Sequence, residues 1–162
     1  MTRVAELAES ISTLLKSRGE TVGVSESSSG GLVSAALLAV PGASAYFMGG
    51  MVIYTGVARD AFAEIDLADH PGVRSSSEPF AVLCANAARI RLGTTWGLAE
   101  TGAAGPTGNR YGDDAGHTCI AVTGLLEHAE TLETGRSDRA ENMDLFTEKT
   151  LEVFESVLRS AD

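Results

Sequence analysis

Residues 25–31 read Ser-Glu-Ser-Ser-Ser-Gly-Gly, between the run Thr21–Val24 and the small apolar stretch Leu32–Val40. A strand, a tight turn and a helix in that order leave the first helical amide hydrogens without intrahelical partners and with partial positive charge. Gly30 and Gly31 would let a ligand's oxygens approach that backbone closely. Such a turn suits a phosphate, or an oxyanion formed while a neighbouring serine attacks. On spacing alone a second reading stands beside the first: Ser27, Ser28 and Ser29 cap the helix and the glycines permit the turn. Neither a Walker loop nor a GxSxG elbow is present.

A second small-residue loop, Thr-Gly-Ala-Ala-Gly-Pro-Thr-Gly-Asn, runs from Thr101 to Asn109. Gly102, Ala103 and Gly105 would leave amide hydrogens unshielded there, suited to an anionic group or an amide oxygen, although a merely tight loop has the same composition. The stretch continues to His117, and structureless loops of such length favour function. Arg59 is the one basic residue between Arg18 and Arg74. It is either a solvated charge paired with Asp60 or Glu64 or a group that serves a site. Arg136 and Arg139 flank Ser137-Asp138 and either pair locally or reach for a phosphate, which arginine's planar fork binds bidentately. His70, His117 and His128 share no metal-like spacing with other ligands, so each is expected at the surface or in a cap, and no metal or cofactor is expected. Cys84 and Cys119 lie in apolar segments and are expected to be small buried hydrophobes.

The elements that must position these residues alternate between strand and helix. A first helix is predicted from a Thr2 cap, with Val4, Leu7, Ile11, Leu14 and Leu15 on one face and Gly19 just past its end. Strands are predicted over Thr21–Val24, Met51–Tyr54, Thr94–Glu100, Thr118–Thr123 and His128–Thr134. Helices are predicted over Leu32–Val40, Val57–Ile65, and from a Ser77 cap through Pro79 to about Leu92. Asp138 followed by Glu141 signals the cap of a last helix, with Met143, Phe146, Val153, Phe154 and Val157 facing inward. The pattern implies a sheet covered by helices on both faces. Ligands gather in such folds where loops leave the strand ends, so the two glycine-bearing loops are expected to face one cleft.

At 162 residues the chain is expected to be a single domain, 1–162. With 12 basic against 22 acidic residues it carries a formal charge of −10, which opposes nucleic acid and leaves a small anionic ligand open. Its apolar runs fall short of the ~20 residues that cross a bilayer, so no membrane association is expected and the location is expected to be cytoplasmic. A homo-oligomer is a general expectation for an acidic, alanine-rich α/β chain. Only two lysines exist, Lys16 and Lys149, one in each terminal helix.

These motifs, in this order, resemble the CinA C-terminal domain family, which includes the nicotinamide-nucleotide amidases. SESSSGG is similar to the family's AESCTGG. Pro41 to Arg59, PGASAYFMGGMVIYTGVAR, resembles PGSSAxFxGGxVxYSNxAK. Ser77-Glu78-Pro79 resembles part of VSEP, TGAAGPTGN resembles TGIAGPxGG, and Ser137-Asp138-Arg139 resembles GDR. The resemblance implies a three-layer α/β/α sandwich with a mixed, mostly parallel sheet of about five strands. It implies metal-free hydrolysis of the carboxamide of nicotinamide mononucleotide to nicotinic acid mononucleotide and ammonia. Carried over by position, Ser27 would be the nucleophile, Tyr54 would assist and Thr101 would belong to the site. Ser29, Gly30, Gly31, Gly102, Ala103 and Gly105 would contact substrate, and Arg139 would hold the phosphate. Family relatives often carry a further N-terminal domain, so a stand-alone role is the corresponding expectation.

One position departs from the pattern. Arg59 stands where the family has lysine, and a guanidinium with a pKa above ~12 does not serve as a general base. As a fixed cation it would orient Ser27 or hold an anion, and a proton acceptor would have to be Tyr54, Glu26 or Glu100. Two functions are therefore expected to compete: an amidohydrolase, and a nucleotide- or phosphate-binding module that has lost hydrolysis.

Overall fold

The computed structural model describes residues 1–162. Helix α1 spans Arg3–Arg18. Thr2 caps it by accepting the Ala5 amide, and Gly19 ends it in the left-handed conformation. The remaining elements are β1 (Val22–Glu26), α2 (Leu32–Leu38), β2 (Phe47–Val52), the single turn α3 (Gly56–Ala58), α4 (Glu78–Leu92), β3 (Trp96–Ala103), β4 (His117–Thr123), β5 (His128–Glu133) and α5 (Arg139–Ser160). Ser77 and Asp138 cap α4 and α5 as their sequence signals predict, accepting the amides of Phe80 and Glu141. No helix is long and apolar enough to cross a membrane.

One sheet of order β2-β1-β3-β4-β5 organises the chain. β1 pairs in parallel with β2 and β3, whereas β4 is antiparallel to both β3 and β5. Four strands thus share a direction, and the sheet is mixed but mostly parallel, as expected. Alternation divides its side chains between two unlike layers. Val22, Val24, Trp96, Leu98, Ile120 and Val122 face α1, α2 and α5, where Leu7, Ile11, Leu15, Leu151, Phe154 and Leu158 complete a core of large side chains. Trp96 meets Phe154 edge to face, with centroids 6.2 Å apart. The opposite face is built from small residues. Ala99, Cys119 and Ala121 pack on Phe80, Ala81, Cys84 and Ala85 of α4. A Cβ on Gly97 would collide with the Ala85 carbonyl, so α4 sits against bare sheet backbone.

Several element boundaries differ from expectation. β2 begins at Phe47 rather than Met51 and runs through Gly49-Gly50, because pairing with β1 rather than local propensity sets it (Val22 opposite Phe47, Glu26 opposite Val52). Val57–Ile65 makes one α turn followed by a π-type turn over Arg59–Ala63, not a regular helix. β1 and β3 extend beyond their predicted ends, to Glu26 and Ala103, so Ser25, Glu26 and Thr101 are strand residues with buried side chains.

Candidate functional site

The parallel pairing of β1 with β2 and β3 aligns their C-terminal ends along one edge of the sheet. The segments that leave those ends, together with the chain before α4 and the start of α5, enclose a cleft of about 690 Å³. Ser27, Tyr54, Arg59, Thr101, Gly102, Ala103, Gly105 and Arg139 all line it. Eight of the eleven residues nominated from sequence are therefore brought together; the Thr101–Asn109 loop lines most of one wall, whereas of Ser25–Gly31 only Ser27 reaches the hollow.

Ser29, Gly30 and Gly31 are not brought to the cleft. The amide hydrogens expected to await a ligand are already bound by two carboxylates of the chain. Glu26, with no exposed surface, accepts the amides of Gly31 (3.1 Å), Val33 (3.0 Å) and Ser34 (2.8 Å), filling the N-terminus of α2. Glu100, 1% exposed, accepts the amides of Ser27 (3.1 Å) and Ser29 (2.8 Å) and the hydroxyls of Ser28 (2.5 Å) and Thr118 (2.7 Å). The Ser29 hydroxyl lies between the two, 2.8 Å from Glu26 and 2.7 Å from Glu100. The anion that completes this turn is therefore internal. Each carboxylate is satisfied by buried donors, as the cost of burying charge requires, and neither lines the cleft where Ser27 would need a proton acceptor. Within the serine triplet the roles divide. Ser28 and Ser29 are buried and serve the turn, whereas Ser27 lies at the cleft wall.

Arg139, the first residue of α5, donates to the Gly105 carbonyl (2.5 Å) and to the Tyr54 hydroxyl (2.7 Å), closing one side of the cleft. Gly105 has φ +113°, and a Cβ there would run into the Ser137 carbonyl, so the backbone must be glycine for α5 to approach. Arg59 donates to Asp60 at 3.3 Å and also lines the cleft. Arg136 pairs locally with Glu141. Lys149 lies near Glu130 of β5 (3.4 Å), and no lysine lines the cleft.

Several residues that build the site were missed. Asn142, fully buried on α5, donates to the carbonyls of Ala104 (2.7 Å) and Arg136 (2.9 Å) and pins the start of the glycine loop. Further along that loop the Asn109 side chain accepts the amides of Tyr111 (3.0 Å) and Asp113 (3.2 Å). That Asx-type turn is a local signal the sequence did contain. Arg74 makes a bidentate pair with Asp113, at 2.7 and 3.0 Å. The hydrogen bond from Arg74 outweighs burial and holds the Asp113 carboxyl below its usual range. Tyr111 lies 5.1 Å from the guanidinium of Arg74 and 5.1 Å from that of Arg110. Arg110 donates to its phenol oxygen, and this bond first, with weaker help from the charges, lowers the phenol's pKa against desolvation.

His117 corrects its expectation most sharply. It is 5% exposed, at the start of β4 beneath the strap Ser75–Ser77. Its Nδ1 is 2.5 Å from Glu133, and its Nε2 is 2.8 Å from the Ser76 carbonyl and 3.5 Å from Asp113. Burial works against charge on this ring, but the bonds to Glu133 and Ser76 and the charge of Asp113 prevail and raise its pKa. Ser76 itself, a cleft residue, holds φ +59°. Cys84 and Cys119 are buried as expected, and desolvation pushes the Cys84 thiol up to about 12.

With this geometry in view, comparison with known proteins places the chain. The CinA C-terminal domain profile matches residues 4–158. A CinA-like protein of Prochlorococcus marinus (strain MIT 9313) is 43% identical over 120 residues, covering 73% of this chain and 28% of that protein. One from Anaeromyxobacter sp. (strain K) is 38% identical over 137 residues, covering 83% of this chain and 33% of that protein. The chain thus spans about a third or less of the curated relatives it matches. Among solved structures, the competence/damage inducible protein CihA from Agrobacterium tumefaciens superposes with a TM-score of 0.89 at 26% identity, over 98% of this chain and 97% of that one. The competence damage-inducible protein A from Klebsiella pneumoniae subsp. pneumoniae MGH 78578 has a TM-score of 0.91 at 21% identity, over 98% of both chains, a likeness of fold. By the profile match along nearly its whole length and by these identities, the chain belongs to the CinA C-terminal domain family.

Proposed function

We propose that the cleft captures a nucleotide or another small phosphorylated ligand. The observation that carries this reading is the charge of the lining. Arg59, Arg110 and Arg139 line the cleft and no aspartate or glutamate does, in a chain with 22 acidic and 12 basic residues. Guanidinium forks suit phosphate oxygens. Ile53 and Phe80 supply apolar wall for a ring, and Ser27, Thr101 and Thr107 supply hydroxyls.

A second reading, hydrolysis of the carboxamide of nicotinamide mononucleotide, is favoured by Ser27 alone of its triplet lying at the cleft wall. Its Oγ would attack the carboxamide carbon, ammonia would leave with the proton taken from the hydroxyl, and water would release the acid. The weak point is that proton. No lysine, histidine or carboxylate lines the cleft, and of the proton acceptors the sequence named only Tyr54 does, its oxygen already accepting from Arg139. Capture is therefore the stronger reading.

Calorimetry with nicotinamide mononucleotide and inorganic phosphate tests capture. Binding should weaken about tenfold or more in Arg139→Ala, the loss of a charge-assisted bond. Failure of the wild-type protein to bind any nucleoside monophosphate would sink the reading. Ammonia release from nicotinamide mononucleotide decides the second one. Turnover by the native protein that Ser27→Ala abolishes would establish hydrolysis, whereas turnover only in Arg59→Lys would mark a lapsed site.

A further inference from the structure

The cluster around His117 belongs to none of the roles above, yet it touches two walls of the cleft. Both ring nitrogens face acceptors: Nδ1 the Glu133 carboxylate, Nε2 the Ser76 carbonyl with Asp113 beyond it. Only the imidazolium carries hydrogen on both nitrogens. Ser76 is a non-glycine residue in the left-handed region, a strained conformation that persists where surroundings impose it. Those surroundings are specific. The Ser76 carbonyl accepts from His117 Nε2 at 2.8 Å and from Arg74 at the longer 3.4 Å, and lies 3.5 Å from the Cys119 thiol, while the Ser76 amide donates to Thr101 Oγ1 at 3.3 Å. Thr101 is 3% exposed and lines the cleft. Its oxygen receives the Ser76 amide, and its own hydrogen has no acceptor within the chain.

We propose that His117, as an imidazolium, is a positioning residue: it holds Ser76 in its left-handed conformation, thereby fixes the Thr101 hydroxyl as a donor to an acceptor atom of the cleft ligand, and so makes capture weaken as pH rises. This rests on the reading of the cleft as a site for phosphorylated ligands. The groups facing the ring come from every element around it: Glu133 on β5, Asp113 in the glycine loop with Arg74 paired to it, and Cys119 on β4. Cys119 lies 3.3 Å from Thr131, which in turn donates to Glu78 of α4. Two carboxylates and a carbonyl, against one guanidinium that is itself paired to Asp113, favour the charged ring. Loss of the Nε2–H removes the shorter of the two side-chain bonds that hold the Ser76 carbonyl and leaves only the 3.4 Å bond from Arg74, so the amide-to-hydroxyl bond to Thr101 is anchored less firmly.

Histidine side-chain NMR on isotope-labelled protein, from about pH 6 to about pH 9, follows the ring while the Ser76 and Thr101 amides are read in parallel. Both His117 nitrogens should bear hydrogen at neutral pH, titrate above the ordinary value of about 6.5, and carry the two amides with the same midpoint. Affinity for nicotinamide mononucleotide, read by calorimetry above pH ~7 where its phosphate is already dianionic, should fall about tenfold through that midpoint. His117→Gln should bind more weakly and with no slope in this range, and Glu133→Gln should move the midpoint down. A neutral His117 at neutral pH, amides indifferent to its titration, or a His117→Gln profile identical to wild type would overturn the proposal. If neither nicotinamide mononucleotide nor inorganic phosphate binds at any pH, the ligand reading fails, and the coupling of the amides to the His117 titration alone decides the clamp. Should His117→Gln not fold, Glu133→Gln carries the comparison.

Discussion

Ser29 shows how a single hydroxyl decides what a motif is for. Its hydrogen serves two buried carboxylates, Glu26 and Glu100, that between them accept five amide hydrogens of residues 27–34. Ser29→Ala would leave both carboxylates a donor short and should destabilise the fold by about 1–3 kcal/mol, read by urea unfolding. If Ser29 were instead a ligand contact, the same change would weaken binding and leave stability alone. Cys84 offers a control on burial. With its thiol pushed up to about 12 and its side chain sealed under α4, it should react with a thiol reagent only after unfolding.

The two faces of the sheet answer differently to substitution. Under α1 and α5 the core is made of large side chains, and Phe154→Ala, which empties the space beside Trp96, should cost about 3–5 kcal/mol. Under α4 there is no space to fill. Gly97→Ala places a methyl against the Ala85 carbonyl and must push α4 from the sheet, so it should cost at least the ~1–3 kcal/mol of overpacking. Thermal melts of the two variants separate the cases, since a cavity accepts a small apolar ligand and an overpacked face does not. Because α4 follows directly from the strap Ser75–Ser77, its displacement should also disturb the cleft wall.

Taken whole, the protein is an acidic body with a basic mouth. A formal charge of −10 surrounds a cleft lined by three arginines, so affinity for a phosphorylated ligand should fall with added salt. The Arg74–Asp113–His117–Glu133 cluster sets a pH window for stability as well. Asp113 titrates below its usual range, so its contribution is present above the ordinary carboxylate pKa and is lost as pH falls through the depressed one. His117 titrates above its usual value, so its contribution is complete below about 6.5 and is lost as pH rises through the raised pKa. Unfolding free energy measured against pH should therefore decline on the acid side less steeply in Asp113→Asn and on the alkaline side less steeply in His117→Gln.

Much of this was determined by the sequence alone, wherever cause and effect lie within a few residues. Thr2, Ser77 and Asp138 cap their helices because an oxygen and the amide it accepts are three residues apart. The amphipathic faces of α1 and α5 follow from a periodicity of 3.6. That the segments leaving β1 and β3 meet at one cleft follows once those strands are parallel, as the alternation of strand and helix implies. Only the tertiary structure decided which donors remained free. Glu100 reaches the Ser27 amide across 73 residues of chain, and His117 reaches Ser76 across 41. A turn rich in unpaired amides reads identically whether a ligand or the protein's own carboxylate completes it. Burial settles the matter, because a charged group taken out of water must find its partners wherever in the chain they lie.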